Sequence, residues 1–388
     1  MNIKEHLSSL DKAGNLRRLP KIIQEGKWVI REDMRMLNLS SNDYLGLASG
    51  SDLQQEFLDI CPKRDLRFSS SSSRLLTGNF PICEELEEML STAFGKEAAL
   101  LFNSGYHANT GILPALSDKS TLIVADKLVH ASLIDGMLLG SATFRRFPHQ
   151  DLARLEKILE AEASQYEKVF VVVESVYSMD GDVTDLRHLV ALKKKYPNVM
   201  LYVDEAHAIG VRGKNGLGIA EEQDCIADID LLVGTFGKAL ASMGAYVVCT
   251  KEIREYLVNT MRPLIFSTAL PPFQWAWTAF VFSRLKDFSE RRDKLSSNSS
   301  YLASALNGKG GEISESHIVP LMVGDSAECI IRAEYLQRKG FYCMPVRPPT
   351  VPKGTSRIRF SLTANVEREE LETLVDIIKT SLASSTLR

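Results

Sequence analysis

Residues 229–240, "IDLLVGTFGKAL", place a lysine directly after what looks like a buried strand. The run from Ile229 to Val233 is apolar apart from Asp230, which is typical of a strand covered on both faces in a parallel sheet. A glycine ends the run, and Thr235 and Lys238 follow. The segment therefore predicts a buried strand whose carboxyl end presents a threonine and a lysine.

Similar apolar runs precede this segment at intervals along the chain. They are rich in Val, Ile and Leu, and segments with helical spacing separate them: "AALLFNSG" (98–105), "STLIVAD" (120–126), "KVFVVVESV" (168–176) and "VMLYVDEAH" (199–207). Strands of this kind, alternating with helices, form mostly parallel sheets covered by helices. The pattern predicts an α/β fold with a mostly parallel central sheet.

Polar residues collect where these predicted strands end. They are Ser104 and Gly105, Asp126, Glu174 to Ser178, Asp204 to His207, and Thr235 to Lys238. Ligands of open parallel sheets bind at the carboxyl ends of the strands. We therefore expect the functional site at this edge of the sheet.

The composition is that of an ordinary globular protein. The 388 residues are 45% hydrophobic and 24% charged, and the net charge is −3, which gives no general attraction to nucleic acid. Six cysteines are scattered without a C-x-x-C pair, so neither disulfides nor a zinc site are expected. Since the sequence also lacks an apolar signal core and any apolar run long enough to cross a bilayer, we expect a cytoplasmic protein without membrane contact.

Three parts of the chain differ in pattern. Residues 1–45 predict an N-terminal helix and a short strand, and residues 46–270 predict the large α/β domain. The segment "LPPF" (270–273) interrupts the pattern. Residues 271–388 then predict a smaller α+β domain that ends in a helix.

Lys238 has two interpretations. A lone lysine at a strand end usually extends its long side chain to solvent. A lysine that forms a Schiff base must instead be partly desolvated, so that its amine is uncharged and nucleophilic. The small residues around Lys238 favour the second interpretation, because they let a phosphate and a planar ring approach the backbone.

Asp204 and His207 provide a second feature of the same chemistry. The aspartate alone is compatible with an N-capping residue, and the two together with a metal pair. A pyridoxal phosphate enzyme, however, requires a carboxylate at the pyridine nitrogen, which stays protonated and lets the ring accept electrons. His207, one turn later, is placed to meet the phenolic oxygen of that ring.

Two further segments carry weaker signals. "NSGYHAN" (103–109) follows a strand and opens a helix, whose free N–H groups attract phosphate. His130 would stack on a bound ring, although a lone histidine is more often structural. The glycine-rich stretch 210–218 lacks the G-x-G-x-x-G spacing, and we interpret it as a surface turn.

Several motifs together resemble a known family, the α-oxoamine synthases, which are fold-type I enzymes dependent on pyridoxal 5'-phosphate. The motifs are "SNDYLGL", "DGDVTDL", "VDEAHAIGVRGKNGLG", "GTFGKAL", "FSTALPP" and "RPPTVPKGTSRIRFSLTA". The resemblance extends from about residue 16 to residue 378. "RPPTVP" and "SRIRFSLTA" most resemble the members that join L-alanine to a pimeloyl thioester in biotin biosynthesis, with loss of carbon dioxide and release of the thiol carrier.

The resemblance implies a role for each matching position around the cofactor ring. Lys238 would hold the cofactor and move protons, and Asp204 would pair with the pyridinium nitrogen. His207 would meet the phenolic oxygen, and His130 would stack on the ring. No metal is implied.

It also implies contacts to the phosphate and the substrates. The phosphate would be bound by the amides of Gly105 and Tyr106 and by the hydroxyls of Thr235 and, from a partner subunit, Thr268. The reacting centre would be lined by Asn42, Glu174 and Ser178. Arg359 would bind the amino acid carboxylate with its planar guanidinium. Arg347 and Arg17 would bind the acyl-chain carboxylate or the carrier, and are otherwise ordinary surface charges.

Two positions depart from the family pattern. "SSSSSR" (69–74) stands where the family has a glycine-rich "GSGGSR", and Ala241 replaces a glycine shortly after Lys238. Serine and alanine adopt positive φ angles less readily than glycine. The path of the 69–74 loop and its approach to the active site are therefore open, and we expect both departures to leave activity intact.

Two alternatives remain open at this point. In the first, the chain is a sister acyltransferase, such as a glycine C-acetyltransferase, a 5-aminolevulinate synthase or a serine palmitoyltransferase-like enzyme. This alternative is open because the choice of amino acid depends on a methyl-sized difference, which is worth only about 1–3 kcal/mol in a pocket. Otherwise it would be a scaffold of the same fold without catalytic activity. The resemblance further implies a homodimer, and it leaves open whether coenzyme A or acyl carrier protein delivers the acyl group.

Overall fold

The computed structural model describes residues 2–60, 67–307 and 314–383. The chain divides into two compact units. The smaller unit contains Met1–Ser49, Ser178–Asp182 and Arg291–Arg388, and the larger unit contains Gly50–Tyr177 and Val183–Glu290. We predicted domain boundaries after residues 45 and 270. In the structure the larger unit begins at Gly50 and ends at Glu290, and the segment Ser178–Asp182 within this range belongs to the smaller unit.

Backbone pairing explains why the N-terminal segment joins the C-terminal one. Strand β3 (Met34–Asn38) pairs in parallel with β12 (Phe341–Tyr342), with Leu37 opposite Phe341. The hydrogen bonds of a sheet thus connect two segments that are 300 residues apart in the chain. Sequence patterning cannot show such long-range pairing, because it describes only local periodicity.

The larger unit is built around a seven-stranded sheet. Its strands are β4 (Ala98–Phe102), β5 (Thr121–Asp126), β6 (Thr143–Phe147), β7 (Lys168–Glu174), β8 (Val199–Asp204), β9 (Leu231–Thr235) and β10 (Ala245–Cys249). Their order is β4-β10-β9-β8-β7-β5-β6, and only β10 runs antiparallel to its neighbours. The prediction of a mostly parallel central sheet is confirmed.

Helices accompany these strands. They are α2 (Ser51–Ile60), α3 (Pro81–Phe94), α4 (Gly105–Leu116), α5 (Ala131–Leu139), α6 (Leu152–Glu162), α7 (Leu186–Lys195), α8 (Ile219–Glu222), α9 (Lys251–Thr260), α10 (Arg262–Ile265) and α11 (Pro272–Ser283). Strands β4, β5, β9 and β10 are buried at every residue, as their apolar sequences require. The sheet therefore forms the core of this unit.

The smaller unit contains two smaller sheets. A four-stranded sheet has the order β1-β2-β3-β12, with β1 (Ile23–Glu25) and β2 (Trp28–Arg31). A three-stranded antiparallel sheet contains β11 (Ile318–Gly324), β14 (Ser356–Ser361) and β13 (Pro345–Val346). Its helices are α1 (Ile3–Lys12), α12 (Ser289–Asn307), α13 (Ser326–Arg338) and α14 (Arg368–Ala383). None of the helices in the described ranges has the length and apolar character needed to span a membrane.

The glycine-rich stretch 210–218 forms turns and bends, as expected, but it does not lie at the surface. Most of it is buried, and Lys214 is its one exposed residue. The buried carboxylate of Glu205 anchors the segment that follows, because it accepts hydrogen bonds from the backbone of Ile219 (3.1 Å) and Ala220 (2.7 Å). Gly218 has a φ of +107°, and a Cβ there would lie 2.6 Å from Oε2 of Glu205, so this position requires glycine.

The serine-rich segment is held by specific contacts. Ser71 has a φ of +51°, the left-handed conformation that the family's glycine would adopt at lower cost. Oγ of Ser70 donates to the carbonyl of Leu270 (2.7 Å), and the backbone of Ala269 donates to the carbonyl of Ser72 (3.0 Å). These contacts stabilise the segment around Ser71 in a conformation that serine adopts less readily than glycine.

Candidate functional site

Three neighbouring strands of the larger unit end side by side. Glu174 on β7 is the register partner of Asp204 on β8, and Asp204 is in turn the partner of Val233 on β9. Thr235 ends β9, and Lys238 follows it. The parallel register therefore brings the carboxyl ends of all three strands to one edge of the sheet.

Lys238 and His207 meet at this edge. The side-chain nitrogen of Lys238 lies 3.1 Å from Nε2 of His207. Lys238 is half-buried and His207 is buried. The lysine is thus held by the protein and does not extend freely into solvent.

Asp204 is buried, and protein donors hold both of its carboxylate oxygens. Oδ1 accepts a hydrogen bond from the backbone N–H of Ala206 (2.8 Å), and Oδ2 accepts one from the side-chain amide of Asn109 (2.8 Å). Such bonds fix the orientation of the carboxylate and offset the cost of burying it.

His130 caps the N-terminus of α5 through its ring. Nδ1 accepts a hydrogen bond from the backbone N–H of Ser132 (3.2 Å) and lies 2.8 Å from the hydroxyl of the same serine. Desolvation lowers the pKa of His130, and the nearby charge on Lys238 lowers it further, while Asp204 and Asp135 act in the opposite direction. The imidazole is therefore neutral near pH 7.

Glu174 is a buried carboxyl group beside these residues. Its Oε1 has no hydrogen-bond partner among the described residues. Burial, reinforced by the charge on Asp204, raises the pKa of Glu174 well above its usual range, although Lys238 opposes this effect. The carboxyl group of Glu174 therefore takes up a proton at a higher pH than an exposed glutamate does.

The N-terminus of α4 lies next to Thr235. A Cβ added to Gly105 would be 3.8 Å from Cβ of Thr235, and the hydroxyl of Thr235 donates to the carbonyl of Gly244 (3.0 Å). Helix α4 is capped by Ser104, whose Oγ accepts from the backbone of His107 (3.2 Å). A helix N-terminus beside a hydroxyl is a suitable environment for a phosphate.

Tyr106 and Thr268, the other predicted phosphate contacts, are more exposed. The hydroxyl of Tyr106 donates to the carboxylate of Asp135, and half of the side chain is exposed. The backbone carbonyl of Thr268 accepts from the side chain of Asn103 (2.7 Å) within the same chain. A contribution of Thr268 from a partner subunit stays a prediction.

Arg359, Asn42 and Ser178 come together in the smaller unit. Nε of Arg359 donates to the backbone carbonyl of Ser178, and both terminal nitrogens lie 3.5 Å from Oδ1 of Asn42. The hydroxyl of Tyr44 donates to the same oxygen of Asn42 (3.0 Å). Within residues 2–60, 67–307 and 314–383, Arg359 forms no salt bridge. Its positive charge thus lacks a carboxylate partner from the described chain.

Arg17 and Arg347 have different surroundings in the smaller unit. Arg17 is exposed and donates to the hydroxyl of Thr350 (2.8 Å). Arg347 is half-buried and lines a cavity of about 300 Å³ together with Arg31 and apolar side chains such as Leu16. Asp11 and Glu334 also line this cavity, so its two arginines are matched there by two carboxylates.

The residues of the larger unit fit pyridoxal phosphate. Four features lie at the same strand ends: a half-buried lysine, a buried and oriented carboxylate, a helix N-terminus beside a threonine hydroxyl, and a buried carboxyl oxygen that has no hydrogen-bond partner in the described part of the chain. These are the donors and acceptors that such a cofactor requires.

Sequence patterning missed three buried residues behind this edge. Asn109 lies at the end of the segment 103–109 but was given no role, and Ser132 and Tyr202 lie within predicted elements. All three are at most 2% exposed and form hydrogen bonds with one another or with Asp204. The sequence signal that could have identified them is the presence of polar side chains within segments predicted to be buried.

Comparisons with known proteins agree with this geometry. The aminotransferase class I and II family matches residues 34–378. The chain is 58% identical over 379 residues to an 8-amino-7-oxononanoate synthase from Haemophilus ducreyi, an alignment that covers 96% of this chain and 98% of that protein.

Solved structures share the fold. The chain is similar to serine palmitoyltransferase from S. paucimobilis with a bound PLP–myriocin aldimine, with a TM-score of 0.89, 29% identity, and coverage of 98% of this chain and 97% of that one. It is also similar to 8-amino-7-oxononanoate synthase from Francisella tularensis, with a TM-score of 0.76, 28% identity, and coverage of 90% and 98%. The predicted fold-type I α/β class is confirmed.

Proposed function

Because the chain belongs to the aminotransferase class I and II family, and within it to the 8-amino-7-oxononanoate synthases, we propose that it condenses L-alanine with a pimeloyl thioester. The products are 8-amino-7-oxononanoate, carbon dioxide and the free thiol carrier, as in biotin biosynthesis. The observation that carries the proposal is the arrangement of Lys238, His207 and Asp204 at the ends of adjacent strands.

Pyridoxal phosphate, when bound, supplies an electron sink for the carbanion that forms at the α-carbon of alanine. Lys238 is the residue that anchors this cofactor and moves the α-proton with its side-chain nitrogen. His207 orients that nitrogen from 3.1 Å away. A positioned base of this kind contributes about 10²–10⁴-fold to the rate.

Asp204 has the electrostatic role. Its carboxylate would pair with the pyridine nitrogen of the bound cofactor and favour a proton there. The side-chain amide of Asn109 and the backbone N–H of Ala206 hold the carboxylate in place, so the carboxylate does not have to reorient during the reaction. The neutral ring of His130 would stack on the ring of the bound cofactor.

Phosphate binding falls to the first turn of α4 and nearby hydroxyls. The backbone N–H groups of Gly105 and Tyr106 are the donors from one subunit, and the hydroxyl of Thr235 would join them by turning its proton from the carbonyl of Gly244 to the phosphate. Thr268 adds a hydroxyl from the partner in a homodimer. The positive end of the α4 dipole adds to the attraction.

Arg359 binds the carboxylate of L-alanine. Its guanidinium is oriented by the carbonyl of Ser178 and by Asn42, and it has no carboxylate partner within the described residues. Burial raises the pKa of Glu174, which favours the protonated form of this carboxyl group near the reacting centre. Arg347 and Arg17 bind the far carboxylate of the acyl chain or the carrier, which is either coenzyme A or acyl carrier protein.

A panel of substrates tests the proposal. Purified protein is incubated with pyridoxal phosphate, with alanine, glycine or serine, and with pimeloyl, acetyl or palmitoyl thioesters, and carbon dioxide release is measured. The proposal predicts the highest kcat/KM with alanine and a pimeloyl thioester. Preference for glycine with acetyl-CoA, or for serine with a palmitoyl thioester, would indicate a sister enzyme, and no turnover with bound cofactor would indicate a scaffold.

Assembly and location complete the proposal. The enzyme acts as a homodimer in the cytoplasm and contacts neither nucleic acid nor a membrane. Sedimentation equilibrium of the purified protein tests the dimer, and a strict monomer with full activity would contradict it.

A further inference from the structure

Asn109 lies at the centre of a buried hydrogen-bond network in the larger unit. Its amide nitrogen donates to Oδ2 of Asp204 (2.8 Å) and to Oγ of Ser132 (2.9 Å), and its oxygen accepts from the hydroxyl of Tyr202 (2.7 Å). Asn109 is 2% exposed, Ser132 1% and Tyr202 0%. Both the nitrogen and the oxygen of the Asn109 amide are therefore hydrogen-bonded to other side chains.

The orientation of the Asn109 amide follows from its partners. An ionised carboxylate only accepts hydrogen bonds, so the group that faces Asp204 is the NH₂ group. Burial raises the pKa of Tyr202 well above its usual range, and the charge on Asp204 adds to this, so Tyr202 stays protonated and donates. The two neighbours thus fix the amide in one orientation.

The same logic extends through Ser132 to His130. The backbone N–H of Ser132 can only donate, so Nδ1 of His130 must be an acceptor without a proton. Because Oγ of Ser132 already accepts from Asn109, its own proton is free to point to Nδ1, 2.8 Å away. The neutral ring then carries its proton on Nε2.

Close packing of two helices makes this network possible. Asn109 lies on α4, and Ser132 lies on α5, one turn before Gly136. A Cβ at Gly136 would be only 2.3 Å from the backbone oxygen of Asn109. Glycine at this position therefore lets α5 approach α4 closely enough for the two side chains to meet.

We propose that Asn109 is a positioning residue for two groups at once, the Asp204 carboxylate and the His130 ring. It holds the first directly, and through the Ser132 hydroxyl it reinforces the His130 tautomer that the Ser132 backbone N–H already requires. The inference rests on the proposed function, because both groups would face the cofactor. The hydrogen bonds themselves join only protein atoms. They can therefore be tested separately from turnover.

The test uses NMR of the full-length protein with ¹⁵N-labelled histidine, with pyridoxal phosphate present and again without it. The His130 signals are identified by their loss in His130→Gln. The charged and titratable groups that face His130 are Asp204, Lys238 and Asp135, together with Glu174, whose carboxyl accepts the His130 backbone N–H. They are unchanged in the variants below.

In the wild type we expect a proton on Nε2 and none on Nδ1. Asn109→Ser frees the Ser132 hydroxyl to accept from a protonated ring, so the pKa of His130 should rise by about 1. Ser132→Ala should raise it in the same direction. Tyr202→Phe is the matched control, since it keeps both donations from Asn109, and it should leave the pKa and the tautomer unchanged.

The Asp204 branch has its own readout. The pH midpoint of the visible absorbance of bound cofactor should shift in Asn109→Ser but not in Ser132→Ala, which leaves the Asn109–Asp204 bond intact. A folded Asn109→Ser protein with wild-type His130 pKa, tautomer and absorbance midpoint would overturn the inference. If Asn109→Ser does not fold, Asn109→Gln replaces it with the same expectations. Failed turnover with the expected NMR shifts would count against the proposed function and not against the network.

Discussion

The side-chain nitrogen of Lys238 and Nε2 of His207 lie 3.1 Å apart, across the ends of the adjacent strands β8 and β9. The two residues are 31 positions apart in the chain, and the parallel register of the strands brings them together. A lysine held in this way is partly withdrawn from water.

Replacement of Lys238 by alanine should abolish turnover. No other side chain can then anchor the cofactor covalently, so borohydride treatment should leave no cofactor adduct in a tryptic digest. Lys119→Ala, at an exposed turn, is the matched control and should behave as wild type. Turnover and an adduct that both survive in Lys238→Ala would refute the assignment.

Asp204→Asn should keep the cofactor bound but slow α-proton exchange. An amide cannot hold a proton on the pyridine nitrogen, and a loss of about 3 kcal/mol corresponds to about 100-fold in rate. Exchange of the alanine α-proton in D₂O, followed by NMR, measures this step without the acyl substrate. An unchanged exchange rate would contradict the role given to Asp204.

Arg359→Ala should raise the KM for alanine by about 10- to 100-fold, as expected for the loss of a hydrogen bond between charged groups. Arg359→Lys keeps the charge but not the planar pair of donors, and should give an intermediate value. Arg338→Ala, an exposed arginine of the same unit, is the control. A wild-type alanine dependence in Arg359→Ala would remove this residue from substrate binding.

Ala241→Gly should stabilise the protein, because Ala241 has a φ of +48°. A non-glycine residue in this conformation destabilises the folded state by about 1–2 kcal/mol, and glycine removes this strain. Glycine also has a larger conformational entropy in the unfolded chain, which offsets part of the gain in stability. We expect a net gain of up to about 1 kcal/mol in urea unfolding, and a similar gain for Ser71→Gly. Ala239→Gly, in the same loop but without a positive φ, should destabilise instead.

Glu205 should make stability depend on pH. Burial raises its pKa from 4.5 to about 7, against the hydrogen bonds from Ser175, Ala220 and Ile219. Between pH 4.5 and 7 the folded protein holds a proton that the unfolded chain has lost, so the free energy of unfolding falls as pH rises, by about 3 kcal/mol over the window.

Glu205→Gln removes this titration. Its urea unfolding free energy should therefore vary less with pH between 4.5 and 7 than that of the wild type, while the exposed Glu160→Gln should follow the wild type. Parallel pH profiles for wild type and Glu205→Gln would show that Glu205 does not titrate in this range.

The strands of the larger unit could be predicted because their apolar runs are local properties. Asp204, Thr235 and Lys238 stood out for the same reason, since each follows such a run. The segment 210–218 was misjudged because its glycines have a tertiary cause. Gly218 makes room for the buried Glu205, and nothing local in the sequence indicates that contact.

The sequence by itself determined the α/β class, the edge of the sheet at which the site lies, and the residue types that the chemistry requires. Only the tertiary structure decided which side chains meet. The pairing of β3 with β12, the contact between Lys238 and His207, and the network around Asn109 all join residues distant in the chain. The physical reason is that periodicity and turn chemistry act over a few residues, whereas register and helix packing are set by contacts among the whole set of elements.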